Sequence, residues 1–214
     1  MSTACKATQA EHANILIWEY DCDTKSWLRV ASLDCGHTLT VIQMAFSPDD
    51  KYLLSVSRDR TLCVWDMSDF SIYFKTDKKT SVHQRIIWAC DWSLDSTYFV
   101  TVGRDKKCVL WSLGDKKPVC MQPLVLPNAG TAVAFMPLFK EDNIPIVIGM
   151  DNGQIVLVYF CPLQGKWSEL YGVRQGHHRT VKRLRFQPQP QFGNETLLAT
   201  CGTDHLVQLL RIKL

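Results

Sequence analysis

The feature that most constrains this chain is a phrase that returns. "RDRTLCVWD" at 58–66 comes back as "RDKKCVLWS" at 104–112, and "EHANILIWE" at 11–19 precedes both. Trp65 follows Asp59 by six residues, Trp111 follows Asp105 by six, and Trp18 follows His12 by six. The steps between the three tryptophans are 47 and 46 residues. Self-similarity at a fixed period of this size is the signature of a repeat architecture.

The rest of the chain falls into register on that phrase. The second copy reads "GHTLTVIQMAFSPDDKYLLSVSRDRTLCVWDM" and the third "VHQRIIWACDWSLDSTYFVTVGRDKKCVLWSL". His37 precedes Trp65 by 28 residues, and His83 precedes Trp111 by the same 28. A fifth copy opens "GHHRTVKRLRF" and closes "LLATCGTDHLVQLLRI", with Leu210 where the others carry Trp. The fourth keeps the apolar pattern but lacks the GH dipeptide and has Val158 at the Trp position. The first begins at "TACKAT", which aligns with "YLLSVS", so it starts at its second strand. The copies run over about 1–35 (partial), 36–81, 82–128, 129–173 and 174–214 (partial).

Within each copy, apolar runs of four to seven residues are separated by turn signals such as "SPDD", "SLDS", "MDNG" and "CGTD". Runs this short between such regular punctuation predict strands. "DNG" at 151–153 predicts a hairpin turn, since Asn and Gly tolerate positive φ. Each complete copy has room for about four strands, so the chain is read as all-β, a propeller of about five blades. The first copy offers strands two to four and the last one to three. Such ends do not complement one another in a closing blade, and an open arc or strained ring with unpaired strand edges is expected.

The sequence "GH…SPDD…LLSVSRDRTLCVWD" resembles the WD40 repeat, and the pattern covers essentially the whole chain. That resemblance implies a side-chain network in each blade. Copy two supplies His37, Ser55, Asp59 and Trp65; copy three His83, Thr101, Asp105 and Trp111; copy five His177, Thr200 and Asp204, without an indole. Copy one offers Thr8 and Trp18, with His12 in place of the aspartate. An imidazole, a hydroxyl, a carboxylate and an indole can satisfy one another inside an apolar sheet.

His37, Ser55 and Asp59 also have the residue types of a catalytic triad. Three facts oppose that reading. The set recurs with Thr, a Trp engages the hydroxyl, and no G-x-S-x-G elbow is present. Phosphate-loop, H-E-x-x-H and dinucleotide fingerprints are absent as well. No enzyme, cofactor or metal is expected.

Composition narrows the setting. The 214 residues carry a net charge of +3, so a charged partner must be met by a local patch. No apolar run approaches the ~20 residues of a membrane helix, and no basic start followed by an apolar stretch marks a secretory signal. The nine cysteines (Cys5, Cys22, Cys35, Cys63, Cys90, Cys108, Cys120, Cys161, Cys201) include no CxxC pair and lie mostly in apolar runs. They read as reduced, buried hydrophobes.

Propellers bind through loops at one end of the ring, because loops on a rigid scaffold are free to vary. Arg58 and Arg104, just before the turn aspartates, stand at positions that the family resemblance implies are contact sites. Arg85 and Trp88, in "HQRIIWACDW", fall near the funnel mouth; Arg and Trp are enriched at the energetic centres of interfaces. An alternative leaves Trp88 in the core and Arg85 in solvent. "RQGHHRTVKRLRF" at 174–186 gathers Arg174, Arg179, Lys182, Arg183 and Arg185 with no acid. These could meet RNA phosphates. The lack of interleaved aromatics favours a solvated or protein-facing patch.

"CKATQAEHANILIWE", the third copy and "LLATCGTDH" are more specific than a generic repeat. They resemble the second propeller of the WD40 subunits of the Elongator complex, where "SRDK" stands in place of "GRDK" at 103–106. The resemblance implies part of a larger two-propeller protein, as a short isoform or a fragment. It also implies a non-catalytic scaffold, cytoplasmic and also nuclear, that holds the catalytic and largest Elongator subunits together while tRNA wobble uridine is modified. Direct tRNA contact has little support, and no membrane is involved. The alternative is a WD40 substrate-recognition module, such as a ubiquitin-ligase receptor or histone reader; the absence of an F-box or other adaptor segment speaks against it.

Overall fold

The short apolar runs become strands, and among the described residues every regular element is extended. The structure is a computed structural model; it describes residues 1–4, 15–34, 36–79, 81–114, 117–137, 143–168, 171–172, 176–187 and 195–213. The first sheet is β1 (Ser2–Ala4), β2 (Ile15–Asp21) and β3 (Ser26–Leu33). The second is β4 (Val41–Phe46), β5 (Tyr52–Ser57), β6 (Leu62–Asp66) and β7 (Ile72–Lys75). The third is β8 (Ile87–Trp92), β9 (Tyr98–Gly103) and β10 (Lys107–Ser112), whose outer edge is shared by β11 (Val119–Cys120) and β12 (Leu124–Val125). The fourth repeats that plan with β13 (Gly130–Phe135), β14 (Ile144–Met150), β15 (Ile155–Cys161), β16 (Lys166–Trp167) and β17 (Tyr171–Gly172). The fifth is β18 (Val181–Phe186), β19 (Glu195–Gly202) and β20 (Val207–Lys213). Neighbouring strands are antiparallel throughout.

The second strands of the three middle sheets are pressed between neighbouring sheets. β14 is buried along its whole length, and β5 and β9 are buried apart from their first residue. That burial on both faces explains the continuous apolar runs, where a half-exposed strand would alternate. Four buried clusters join consecutive sheets. Ile15, Leu33, Leu53 and Trp65 join the first to the second; Leu54, Val64, Phe99 and Trp111 the second to the third. Val100, Leu110, Ile146 and Phe160 join the third to the fourth; Val147, Ile155, Val181 and Leu198 the fourth to the fifth. Each large apolar side chain so buried contributes roughly 1.5–3 kcal/mol.

Polar groups cross the same seams one repeat apart. Gln43 Nε2 donates to the Cys90 carbonyl at 2.8 Å and Trp92 Nε1 to the Ala45 carbonyl at 3.0 Å. The Phe135 amide donates to Asp91 Oδ2 at 2.9 Å, and Trp167 Nε1 to the Gln122 carbonyl at 2.7 Å. Among the described residues no buried cluster joins the fifth sheet to the first, so the molecule is a partial, open propeller. β1 pairs there only with β2, and β20 only with β19.

Candidate functional site: a cationic mouth built on four bulged strands

The site starts from the networks that fix each blade's turn. His37 Nε2 lies 2.7 Å from Ser55 Oγ, which also accepts from Trp65 Nε1 at 2.9 Å. His37 Nδ1 meets Thr61 Oγ1 at 3.0 Å, and Thr61 donates in turn to Asp59. In the third sheet His83 Nδ1 faces Asp105 directly at 3.1 Å, Nε2 lies 2.9 Å from Thr101 Oγ1, and Trp111 Nε1 donates to that oxygen at 3.1 Å. In the fifth, His177 spans Asp204 at 2.9 Å and Thr200 at 2.8 Å. Leu210 there occupies the register position of Trp65: Leu198 faces Leu210 as Leu53 faces Trp65.

The chemistry is closed. A ring nitrogen facing a carboxylate carries the proton, so Nε2 accepts the hydroxyl proton and the hydroxyl oxygen accepts the indole N–H. Burial pushes the Asp59 carboxyl upward, but the nearby His37 ring, 3.6 Å away, and hydrogen bonds from Thr61 and the Thr38 amide outweigh it and hold the group well below the usual carboxylate range. Asp105 and Asp204 are lowered in the same balance, Asp204 to about 2. Gly36 is required beneath this network: a Cβ there would come within 2.2 Å of the Trp65 ring.

In the first sheet the Trp18 indole donates to Thr3 Oγ1 at 3.0 Å. This corrects the expected pairing with Thr8. Thr3 faces Leu16 in the ladder, two residues before Trp18, as Ser55 faces Cys63, two residues before Trp65. Thr8 and His12 lie outside the described residues.

The turns that carry the network aspartates are fixed in addition by their backbone amides. The Arg58 amide donates to the Thr40 carbonyl at 3.0 Å, Arg104 to Ile86 at 2.8 Å, Asp151 to Ala129 at 3.0 Å and Thr203 to Thr180 at 2.9 Å. Each turn is thereby tied to the start of its own innermost strand. At that start every innermost strand of sheets two to five carries a bulge, between Val41 and Gln43, Ile87 and Ala89, Gly130 and Ala132, and Val181 and Arg183. A bulge re-aims the residue it frees. The four freed residues are Ile42, Trp88, Thr131 and Lys182.

All four line one cavity of about 400 Å³, together with Arg104, Ala129, Asp151, Thr180 and Arg183. Trp88 and Arg104 thus meet Lys182 and Arg183 of the basic patch. Trp88 is half-buried, and Arg104, Lys182 and Arg183 are exposed. Arg58, Arg85 and Arg179 are exposed but outside this cavity, and Arg174 lies outside the described residues. Arg185 exerts its charge on Asp91, whose carboxyl burial pushes up to about 6.

Sequence reasoning passed over Ile42 and Thr131. The signal was present for three of the four positions: Ile42, Trp88 and Lys182 each follow a network histidine by five residues. Among the described residues no group of three or more His, Cys, Asp or Glu is placed to hold a metal, and no helix is long and apolar enough to cross a membrane.

The WD40 family (WD domain, G-beta repeat) matches residues 28–66 and 75–112. Among curated proteins the chain is similar to Elongator complex protein 2 of Danio rerio, 39% identical over 252 residues, across 100% of this chain and 30% of that protein. It is similar to Elongator complex protein 2 of Drosophila melanogaster (40% over 234 residues, 100% of this chain, 28% of that protein). The Homo sapiens protein of the same name is 37% identical over 245 residues, covering 99% of this chain and 29% of that protein. The chain therefore spans about three-tenths of the length of these relatives.

Proposed function

This chain is a WD40-repeat protein that resembles Elongator complex protein 2 from end to end, and on that premise we propose that it is a non-catalytic scaffold subunit of the Elongator complex. In this reading it acts in the cytoplasm, with a nuclear pool, and supports tRNA wobble-uridine modification by holding the catalytic and largest subunits together. The observation that carries the reading is the similarity to one named subunit across animals, over 99–100% of this chain. The closed networks support the absence of catalysis. Ser55 Oγ and Thr101 Oγ1 are each bonded to a histidine and an indole, and both residues are fully buried, which supports a structural role.

The partner-facing surface assigned here is the end of the arc that carries Arg58 and Arg104. Exposed charges contribute little to folding but decide orientation and encounter at interfaces. Affinity purification of the tagged chain, with mass spectrometry, should recover the catalytic and largest Elongator subunits. Arg58→Glu with Arg104→Glu should reduce both without changing the melting temperature. Recovery of a ubiquitin-ligase adaptor or of histones in their place would transfer the chain to the substrate-recognition class.

A further inference from the structure

The mouth of the arc combines groups that the sequence keeps far apart. Trp88 comes from the third sheet, Lys182 and Arg183 from the fifth, and Arg104 from the turn that joins β9 to β10. The basic stretch alone lacks an aromatic partner for bases; the bulge at Trp88 supplies one. We propose that this cavity binds single-stranded nucleic acid, with phosphates on Arg104, Lys182 and Arg183 and a base stacked on the Trp88 ring. The proposal rests on reading this mouth as the binding face of the protein.

Three observations carry it. Among the described residues no acid forms an ion pair with Arg104, Lys182 or Arg183, so three cations face one cavity against a single acid, Asp151. Phosphate groups answer such a cluster, releasing counterions as they bind. A half-buried indole in a positively charged groove is the stacking platform that single strands use, since every base has a π-face. The cavity, about 400 Å³, falls within the range of small-ligand pockets and suits one nucleotide unit.

The remaining wall sharpens the choice of ligand. Thr131 Oγ1 donates to the Val181 carbonyl at 2.7 Å and Thr180 Oγ1 to the Asp151 carbonyl at 3.0 Å, so these hydroxyls hold the wall together. The exposed Asp151 is the one acid of the lining, and its carboxylate can accept from the exocyclic amine of cytosine or adenine. An acidic peptide would satisfy the cations but leave the Trp88 face and Asp151 without a partner.

Fluorescence anisotropy of the whole chain with short fluorescein-labelled oligocytidylate and oligouridylate tests this. Oligocytidylate should bind more tightly, and Asp151→Asn should erase the difference. Trp88→Ala should weaken binding by ~10-fold, with Trp88→Phe recovering most of it. Lys182→Gln and Arg183→Gln should each lower the slope of log affinity against log salt by about one. Equal competition by polyglutamate, or unchanged affinity in a normally melting Trp88→Ala chain, overturns the proposal; the Phe and Gln variants decide it if Trp88→Ala does not fold. The readout needs no other subunit. A chain that binds the oligonucleotide but recovers no Elongator subunit would fail the scaffold reading alone, and the reverse result would fail this one alone.

Discussion

Aspartates at two kinds of position take opposite shifts, and the sign decides how each contributes to stability. Asp59, Asp105 and Asp204 are lowered because the hydrogen bonds they accept outweigh burial. Their contribution is present above the unfolded carboxylate range and is lost as pH falls through their folded values. Asp91 is the reverse. Burial raises it from 3.8 to about 6, against the Phe135 amide and the Arg185 charge. Ionising it in the folded chain is unfavourable, so stability is lost as pH rises between those values. Asp91→Asn keeps an acceptor for the Phe135 amide and removes the charge. It should stabilise the chain by about 1–2 kcal/mol at neutral pH and by nothing at pH below the unfolded carboxylate value, as read from thermal melts across pH. A gain of equal size in acid would assign the effect to packing. The networks were legible at this scale because the resemblance to the WD40 repeat implies that histidine, hydroxyl, carboxylate and indole join in each blade. The insertion of Thr61 between His37 and Asp59 was not, since His83 and His177 face their aspartates directly.

Elements were legible where apolar runs met turn residues, and less so where the backbone departs from its ordinary region. Arg60, Lys106 and His205, each just after a turn aspartate, adopt φ of 72°, 61° and 65°. Arginine and lysine have no preference for the left-handed region, and only histidine among the three is enriched there. The aspartate imposes it by accepting from the amide two residues on, as Asp59 does from Thr61 at 2.9 Å and Asp204 from Leu206 at 3.2 Å. Strand β1 was misread for a related reason: three residues carry too little pattern to fix register, and Thr3 took the role assigned to Thr8. The fifth sheet offers a test of what one missing group is worth. Leu210 sits where Trp65 sits in the second sheet, while His177, Thr200 and Asp204 are in place. Leu210→Trp should let the indole donate to Thr200 Oγ1 and stabilise the chain by about 1 kcal/mol, the net value of a buried hydrogen bond. The gain should vanish when Thr200→Val is added. If it survives, added apolar contact and not the network is its source.

At the scale of the whole molecule, interior blades are covered on both faces and the end blades are not. On β19 and β20 the even-numbered side, with Leu198, Leu210 and Ile212, packs on the fourth sheet. The odd-numbered side carries Leu197, Ala199, Cys201, Val207 and Leu209, with Val207 76% and Leu209 72% exposed. At the other end of the arc, β3 exposes Leu28, while Trp27 and Val30 line a cavity shared with Phe46, Met67 and Phe70 of the second copy. Soluble monomers seldom leave contiguous apolar faces of this kind uncovered, and among the described residues β1 and β20 each pair on one side only, which adds pairing capacity. The chain purified alone should therefore self-associate. Size-exclusion chromatography with light scattering should report species larger than the 24.5 kDa chain, growing with concentration. Val207→Thr with Leu209→Lys should shift the population toward monomer, because the change makes the fifth sheet's open face polar without touching the side packed on the fourth. Melting temperature should hold nearly constant, since both residues are exposed and have little burial to lose. A wild-type chain that runs as a monomer at every concentration and melts in one cooperative step would mean that the two open faces are covered within the molecule, and the open arc would have to be given up.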